Sequence, residues 1–309
     1  MPYAILFPGQ GSQFVGMGAD LFDARPDLLI DRADTVLGWS LRDMCLHGPE
    51  DELTRTEHAQ PALFALAVAL WQELSPRLSA APAAAAGHSL GEYSALVAAG
   101  VLDFDIALAV VAERGRAMQS AADIEPSGMA ALLGADVELA QSVCDARVAG
   151  GGRLSVANIN APGQVVVAGG ADDLDWLEAN GLDLGVRRAV RLKVAGAFHS
   201  EFMAPASARV AAALAGVTAL DPSFPVYGNV TACPLDTADI TTNLAMQVVS
   251  PVRFAESLEA MAAAGIDTFL HVGPGDVTAG MAKRTVDGAR TVTVSQLADV
   301  DAAVEALDG

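Results

Sequence analysis

Cysteine is scarce in this 309-residue chain: Cys45, Cys144 and Cys233 stand far apart, odd in number and without a CxxC pair. That spacing argues against both a disulfide framework and a zinc site. Positive charge is equally thin, with 18 Lys and Arg against 38 Asp and Glu and a net charge of −20. A field of that sign repels polyanions, which disfavours nonspecific binding to nucleic acid or an anionic membrane; an anionic partner must find a local basic patch. Long apolar runs are missing as well. Hydrophobic residues make up 52% of the chain, yet no stretch of about 18 of them runs free of charge or turn signals, so no membrane span is expected. The opening MPYAILFPGQGSQ has no basic n-region and too short an apolar stretch for a secretory signal, which predicts a cytoplasmic location.

What is present is small-residue, alternating α/β sequence. The length exceeds the usual single domain, so one large domain with an insertion, or two domains, is expected. YAILF at 3–7 reads as a buried strand entering the tight loop PGQGSQ. Helical periodicity follows around 17–38 and again at 61–75, with Pro61 placed in the first turn. Residues 83–87, AAAAG, must form a strand against their propensity. From about 129 to 194 the order is strand, helix, strand, strand, helix, strand, the split βαβ plan of a ferredoxin-like unit. This predicts an inserted small domain over 126–194 within a larger α/β domain built from 1–125 and 195–309. The C-terminal part predicts a helix at 200–215, a strand at FPVYGNV, a helix at 252–264, a strand at DTFLHVG and a final helix.

Gly87, Ser89 and Gly91 fit G-x-S-x-G, where a sharp strand-to-helix turn exposes a serine hydroxyl. The same residues allow a plainer reading, because Ser89 and Glu92 satisfy the S-x-x-E capping box of an ordinary helix start. A nucleophilic serine needs a base from elsewhere in the chain. Of the five histidines, His47 and His58 read as solvated loop residues, His271 as a core histidine and His88 as structural. His199, in the glycine-containing loop VAGAFHSEFM, is the best placed. PGQGSQ lacks the third glycine of a dinucleotide fingerprint and has no GK[ST], but such a loop can offer N–H groups to an oxyanion. Arg114 is set in an apolar helix with Met118 on the same face; it is either a surface arginine paired with Glu113 or a bidentate site for a carboxylate. In RRAVRLKV, Arg187, Arg191 and Lys193 share one strand face, which is either solvated or a docking patch for a phosphate-bearing partner.

In order and spacing, FPGQGSQ, QPAL at 60–63, GHSLGEYSALVAAG, RGRAM at 114–118, NINAPGQVVVAG, GAFHS and VGPG at 272–275 resemble the malonyl-CoA:acyl carrier protein transacylase family of bacterial type II fatty acid synthesis along nearly the whole chain. The resemblance implies an α/β-hydrolase-like large domain with an inserted ferredoxin-like small domain. It implies Ser89 as nucleophile, His199 as base oriented by the Gln247 carbonyl, and the Gln10 and Leu90 N–H groups as oxyanion hole. Arg114, with Met118 beside it, would meet the malonyl carboxylate, and Asn160 would line the acyl-CoA side. Phe198 would fill the space an α-methyl needs, a preference on the scale of about 1 to 3 kcal/mol.

The implied reaction is a ping-pong transfer of malonyl from malonyl-CoA to the phosphopantetheine thiol of acyl carrier protein, with no cofactor and no metal. A monomer is expected, and the acidic carrier would dock at Arg187, Arg191, Lys193, Lys283 and Arg284. The same G-x-S-x-G also serves a serine esterase or thioesterase, and the same acyl chemistry a trans-acting malonyl transferase of polyketide synthesis. A non-catalytic protein that binds the carrier is a further alternative.

Overall fold

The computed structural model describes residues 2–308. Its nine strands are β1 (Tyr3–Phe7), β2 (Ala84–Gly87), β3 (Ser127–Leu133), β4 (Ser155–Ala161), β5 (Gln164–Gly170), β6 (Arg188–Arg191), β7 (Val226–Tyr227), β8 (Thr268–Val272) and β9 (Arg290–Val294). Five of them form a parallel sheet in the order β7-β2-β1-β8-β9. Parallel strands covered on both faces need continuous apolar sequence, which YAILF and TFLHV supply. β2 is all alanine and glycine, yet every residue in it is buried. Its Ala84 and Ala86 pack toward Phe254 and Leu258 on one face, while Ala85 joins the main core on the other. Position in the sheet overrides propensity here, and small side chains let helices approach from both sides.

The other four strands are antiparallel in the order β4-β5-β3-β6. With helices Val137–Ala149 and Ala171–Asn180 they follow the ferredoxin-like plan, around a separate core that includes Leu132, Val143, Leu154, Val165, Val167 and Leu174. The small sheet is tied at β4 to the segment that precedes helix Phe254–Ala263. Ile159 N–H donates to the Val252 carbonyl and Val252 N–H to the Ala157 carbonyl, each at 2.8 Å. This splice brings the inner side of β4 to the carboxyl ends of β1 and β2, where ligands bind in open α/β sheets.

Several elements differ from the sequence reading. The long buried helix begins at Thr56 and runs to Leu74 with Pro61 inside it; the missing N–H falls within the helix, and the apolar face decides the boundary rather than proline. Residues 17–38 split into Ala19–Ala24, a wide turn at Asp27–Arg32 and Ala33–Leu37. β6 and β7 are only four and two residues long. Where the sequence predicts one final helix after β8, the structure has two, Val277–Thr285 and Val300–Asp308, with β9 between them, and helix Ile240–Gln247 is a further addition.

Two glycines hold the turn after β2. A Cβ on Gly87 would lie 1.8 Å from the Gly91 carbonyl carbon, and one on Gly91 would lie 2.3 Å from the Phe7 carbonyl oxygen. Gly91→Ala should therefore destabilise by about 3 kcal/mol or more, because backbone cannot yield as a flexible side chain would. Gly280, in helix Val277–Thr285 with open space around it, provides the opposite case. Gly280→Ala should stabilise by about 0.5 to 1 kcal/mol, and denaturant unfolding of both variants checks the pair.

Candidate active site

The chain leaves β2 through His88 and Ser89 and enters helix Gly91–Ala98 at once. Ser89 has φ +51°, left-handed backbone that a non-glycine residue holds only at a cost of about 1 to 3 kcal/mol. The turn is pinned by Asn229, whose Oδ1 accepts the Ser89 N–H at 2.7 Å and whose Nδ2 donates to the Gly87 carbonyl at 2.7 Å. The Ser89 hydroxyl points at His199, with Oγ 2.8 Å from Nε2. Nδ1 of the same ring lies 2.9 Å from the Gln247 carbonyl. A carbonyl only accepts, so Nδ1 carries the proton and Nε2 is free to accept from the serine. His199 too has left-handed backbone, φ +59°. Burial, joined by the nearby Arg114 charge, pushes its imidazole down to about 3. It stays neutral, and able to take a proton, throughout the neutral range.

The capping-box reading of Ser89 and Glu92 does not hold. The helix starts at Gly91 without a side-chain cap, and Glu92, fully buried, turns away to accept from the Asn229 N–H at 2.9 Å and Gln247 Nε2 at 2.8 Å. The loop PGQGSQ packs on the turn: a Cβ on Gly9 would lie 2.5 Å from the His88 carbonyl oxygen. Gln10 is held by its side chain, Nε2 donating to Thr56 Oγ1 at 3.1 Å. Among the described residues, neither the Gln10 N–H nor the Leu90 N–H has a protein acceptor. Both residues line the cleft, where two free N–H groups beside a serine can stabilise an oxyanion.

Arg114 is only 1% exposed, so the surface pairing with Glu113 is not its role. Nη1 donates to Gln60 Oε1 at 2.5 Å, and Nη2 donates to Gln247 Oε1 at 2.9 Å and to Ser89 Oγ at 3.0 Å. Its guanidinium carbon lies 5.7 Å from the centre of the Tyr93 ring. No carboxylate among the described residues forms an ion pair with it. The result is a buried cation, held by neutral acceptors next to a serine hydroxyl, which suits a ligand that brings its own anion. Met118 and Phe198, both buried, line the same cleft.

The far wall comes from the small sheet. Asn160 Oδ1 lies 2.7 Å from His88 Nε2, so His88 is structural but also forms part of the cleft wall. His58 is not a loop residue: it lies in helix Thr56–Leu74, with Nδ1 2.9 Å from the Glu52 carbonyl. His47, exposed, ends helix Leu41–His47. His271 is a satisfied core residue between Thr278 and the Gly273 carbonyl. Two residues of the site escaped the sequence reading, Gln60 and Asn229, and a third, Glu92, entered it only as a capping-box member. Gln60 carries a signal in retrospect, a polar side chain on an otherwise apolar helix; Asn229 carries none without the fold, and the signal of Glu92 pointed to a helix cap instead.

The basic patch is uneven. Arg191 is paired with Asp175 and Glu178, and Arg284 donates to Gln164 at 3.2 Å. Arg187 and Lys283 are exposed, and exposed Lys193 stands at the cleft. All three cysteines are free, Cys45 and Cys144 buried and Cys233 exposed. Among the described residues no group of His, Cys, Asp and Glu is arranged to hold a metal, and no helix is long and apolar enough to cross a membrane.

Comparison with known proteins agrees with this geometry. Residues 5–301 match the acyl transferase domain model. The chain is 40% identical to the malonyl CoA-acyl carrier protein transacylase of Bacillus subtilis (strain 168), across 98% of this chain and 96% of that one. It is likewise 40% identical to the Escherichia coli (strain K12) protein of that name, across 99% of both. Among solved structures, the Streptococcus pneumoniae MCAT superposes with a TM-score of 0.92 at 40% identity, covering 99% of this chain and 100% of that one. A malonyl-transacylase solved in complex with its type II PKS acyl-carrier protein does so at 0.93 and 38% identity, with the same coverage. A match of this length, running through every segment that builds the cleft, places the chain in the acyl transferase family, in its malonyl CoA-acyl carrier protein transacylase branch.

Proposed function

We propose that this protein transfers the malonyl group from malonyl-CoA to the phosphopantetheine thiol of an acyl carrier protein through a malonyl ester on Ser89. The observation that carries the reading is Arg114: a buried guanidinium without a carboxylate partner, 3.0 Å from the Ser89 hydroxyl. Malonyl thioesters carry a free carboxylate one carbon from the reacting carbonyl, so a bidentate pair at Arg114 brings that carbonyl to Ser89 Oγ.

His199 Nε2 takes the hydroxyl proton as Oγ forms its bond to the thioester carbon, and the oxyanion rests on the Gln10 and Leu90 N–H groups. Collapse breaks the C–S bond, and the departing coenzyme A sulfur takes the proton from His199. The carrier thiol then gives its proton to His199 and attacks the ester carbonyl; collapse returns malonyl to sulfur and the proton to Ser89. The Gln247 carbonyl keeps the imidazole in the required tautomer. Neither half-reaction requires a metal or redox group.

Phe198 and Met118 wall the acyl pocket, and Asn160 with His88 faces the coenzyme side. Residues 126–194 act as the small domain that closes the cleft against the body formed by 1–125 and 195–309. An acyl carrier protein is the partner found with one of the similar structures. On this chain Arg187, Lys193, Lys283 and Arg284 are the docking positions we favour, Arg191 contributing less because two acids already hold it.

Acceptor dependence separates transfer from hydrolysis. Malonyl-CoA consumption should rise sharply when holo-acyl carrier protein is added, with malonyl-carrier as product; equal consumption without it, yielding free malonate, means a thioesterase. Arg114→Ala should cut the preference for malonyl-CoA over acetyl-CoA, measured as a ratio of kcat/KM. If an acetyl group leaves the buried guanidinium unpaired, the difference is about 3 to 5 kcal/mol, or roughly a hundred- to several-thousand-fold. An unchanged preference removes Arg114 from carboxylate recognition.

A further inference from the structure

Arg114 has a charge counterpart, but not in contact with it. Glu92 is fully buried and no cation among the described residues pairs with it. One side-chain amide joins the two. Gln247 Oε1 accepts from Arg114 Nη2 at 2.9 Å, and Gln247 Nε2 donates to Glu92 Oε2 at 2.8 Å and to the Ser89 carbonyl at 2.9 Å. The amide cannot be reversed, since its nitrogen would then face the guanidinium and its oxygen the carboxylate and the Ser89 carbonyl. Among the described residues, the buried side-chain polar atoms left without partners are Arg114 Nε, the Tyr93 hydroxyl and Glu92 Oε1. All three belong to this cluster, where an isolated buried charge would otherwise be prohibitive.

We infer that Glu92 is a positioning residue and the resting counter-charge of Arg114, relayed through Gln247, and that it lowers the affinity of Arg114 for the substrate carboxylate. The inference rests on the malonyl reading above. In the free protein the relay neutralises the buried guanidinium; when a malonyl carboxylate arrives, two anions share one cation. Removing the Glu92 charge then strengthens selection for the charged acyl group, the reverse of what loss of a merely structural residue does.

Glu92→Gln tests this, because one amide oxygen can still accept from Asn229 N–H and Gln247 Nε2 while the charge is gone. With parent enzyme shown to transfer malonyl, and at a pH above about 7 where Glu92 is charged, the ratio of kcat/KM for malonyl-CoA to that for acetyl-CoA should rise roughly three- to tenfold, the scale of a charge pair bridged by one amide. Glu92→Asp, which keeps the charge, should not raise it. The native enzyme gives a second readout. Burial holds the Glu92 carboxyl up at about 7, against its bonds from Asn229 and Gln247 and the charge of Arg114. The other titratable group set against it, Tyr93, is pushed well above its ordinary range by burial and stays neutral.

Glu92 is thus neutral below about 7 and charged above it, so the malonyl-to-acetyl ratio should fall as pH rises through that value. The coenzyme phosphates titrate identically in both substrates and cancel. A folded Glu92→Gln enzyme whose ratio is unchanged or lower at a pH above about 7 overturns the inference, as does an equal rise in Glu92→Asp. Should Glu92→Gln not fold, a ratio in the native enzyme that stays flat through neutral pH overturns it. A parent enzyme that fails to transfer malonyl instead overturns the functional reading on which the inference stands.

Discussion

A guanidinium sealed in an apolar core must be surrounded by acceptors, and the site is organised around that requirement. Arg114 is 1% exposed, and its acceptors come from three separate elements: Gln60 from helix Thr56–Leu74, Gln247 from the end of helix Ile240–Gln247, and Ser89 from the turn after β2. Meeting the needs of one cation therefore fixes a long helix, a C-terminal segment and the turn after β2 relative to one another. The same charge adds to burial in keeping His199 neutral. It also lies against the serine oxygen that the proposed mechanism turns into a nucleophile.

The turn itself is a second, local constraint. Ser89 and His199 both hold left-handed backbone, and Gly87 and Gly91 are so close to neighbouring backbone that no side chain fits. Strain of this kind persists only where the surroundings over-determine it. Asn229 does so from below, gripping the backbone on both sides of His88, and Glu92 with Gln247 does so from behind. The parallel sheet supplies the frame: the ends of β1 and β2 bring PGQGSQ and GHSLG side by side, and the splice between β4 and Val252 brings Asn160 to face them.

Much of this was legible in the sequence. The alternation of strands and helices from Ser127 to Arg191 shows in the change of hydrophobic period, and the small sheet forms from those segments. Ser89 was visible as a motif but undecided, since Glu92 offered a capping box; only the fold reveals that Glu92 is buried and engaged elsewhere. Arg114 was visible as an anomaly, a cation in an apolar helix. Gln60, Asn229 and the bonding role of the Gln247 side chain were not, because a neutral amide carries no pattern and acquires meaning only when distant segments meet. The weak strand β2 and the proline inside helix Thr56–Leu74 mark the other limit, where packing on both faces overrules local preference.

The central claim is that Ser89 carries the malonyl group between two thiols. Intact-mass and peptide mapping of the protein after a brief exposure to malonyl-CoA tests it most directly, followed by a chase with holo-acyl carrier protein. The account predicts one malonyl adduct, located on the Ser89 peptide and absent from Ser89→Ala, that disappears as malonyl-carrier accumulates. An enzyme that turns over malonyl-CoA without any adduct on Ser89, or an adduct lost to water as fast as to the carrier, would contradict it.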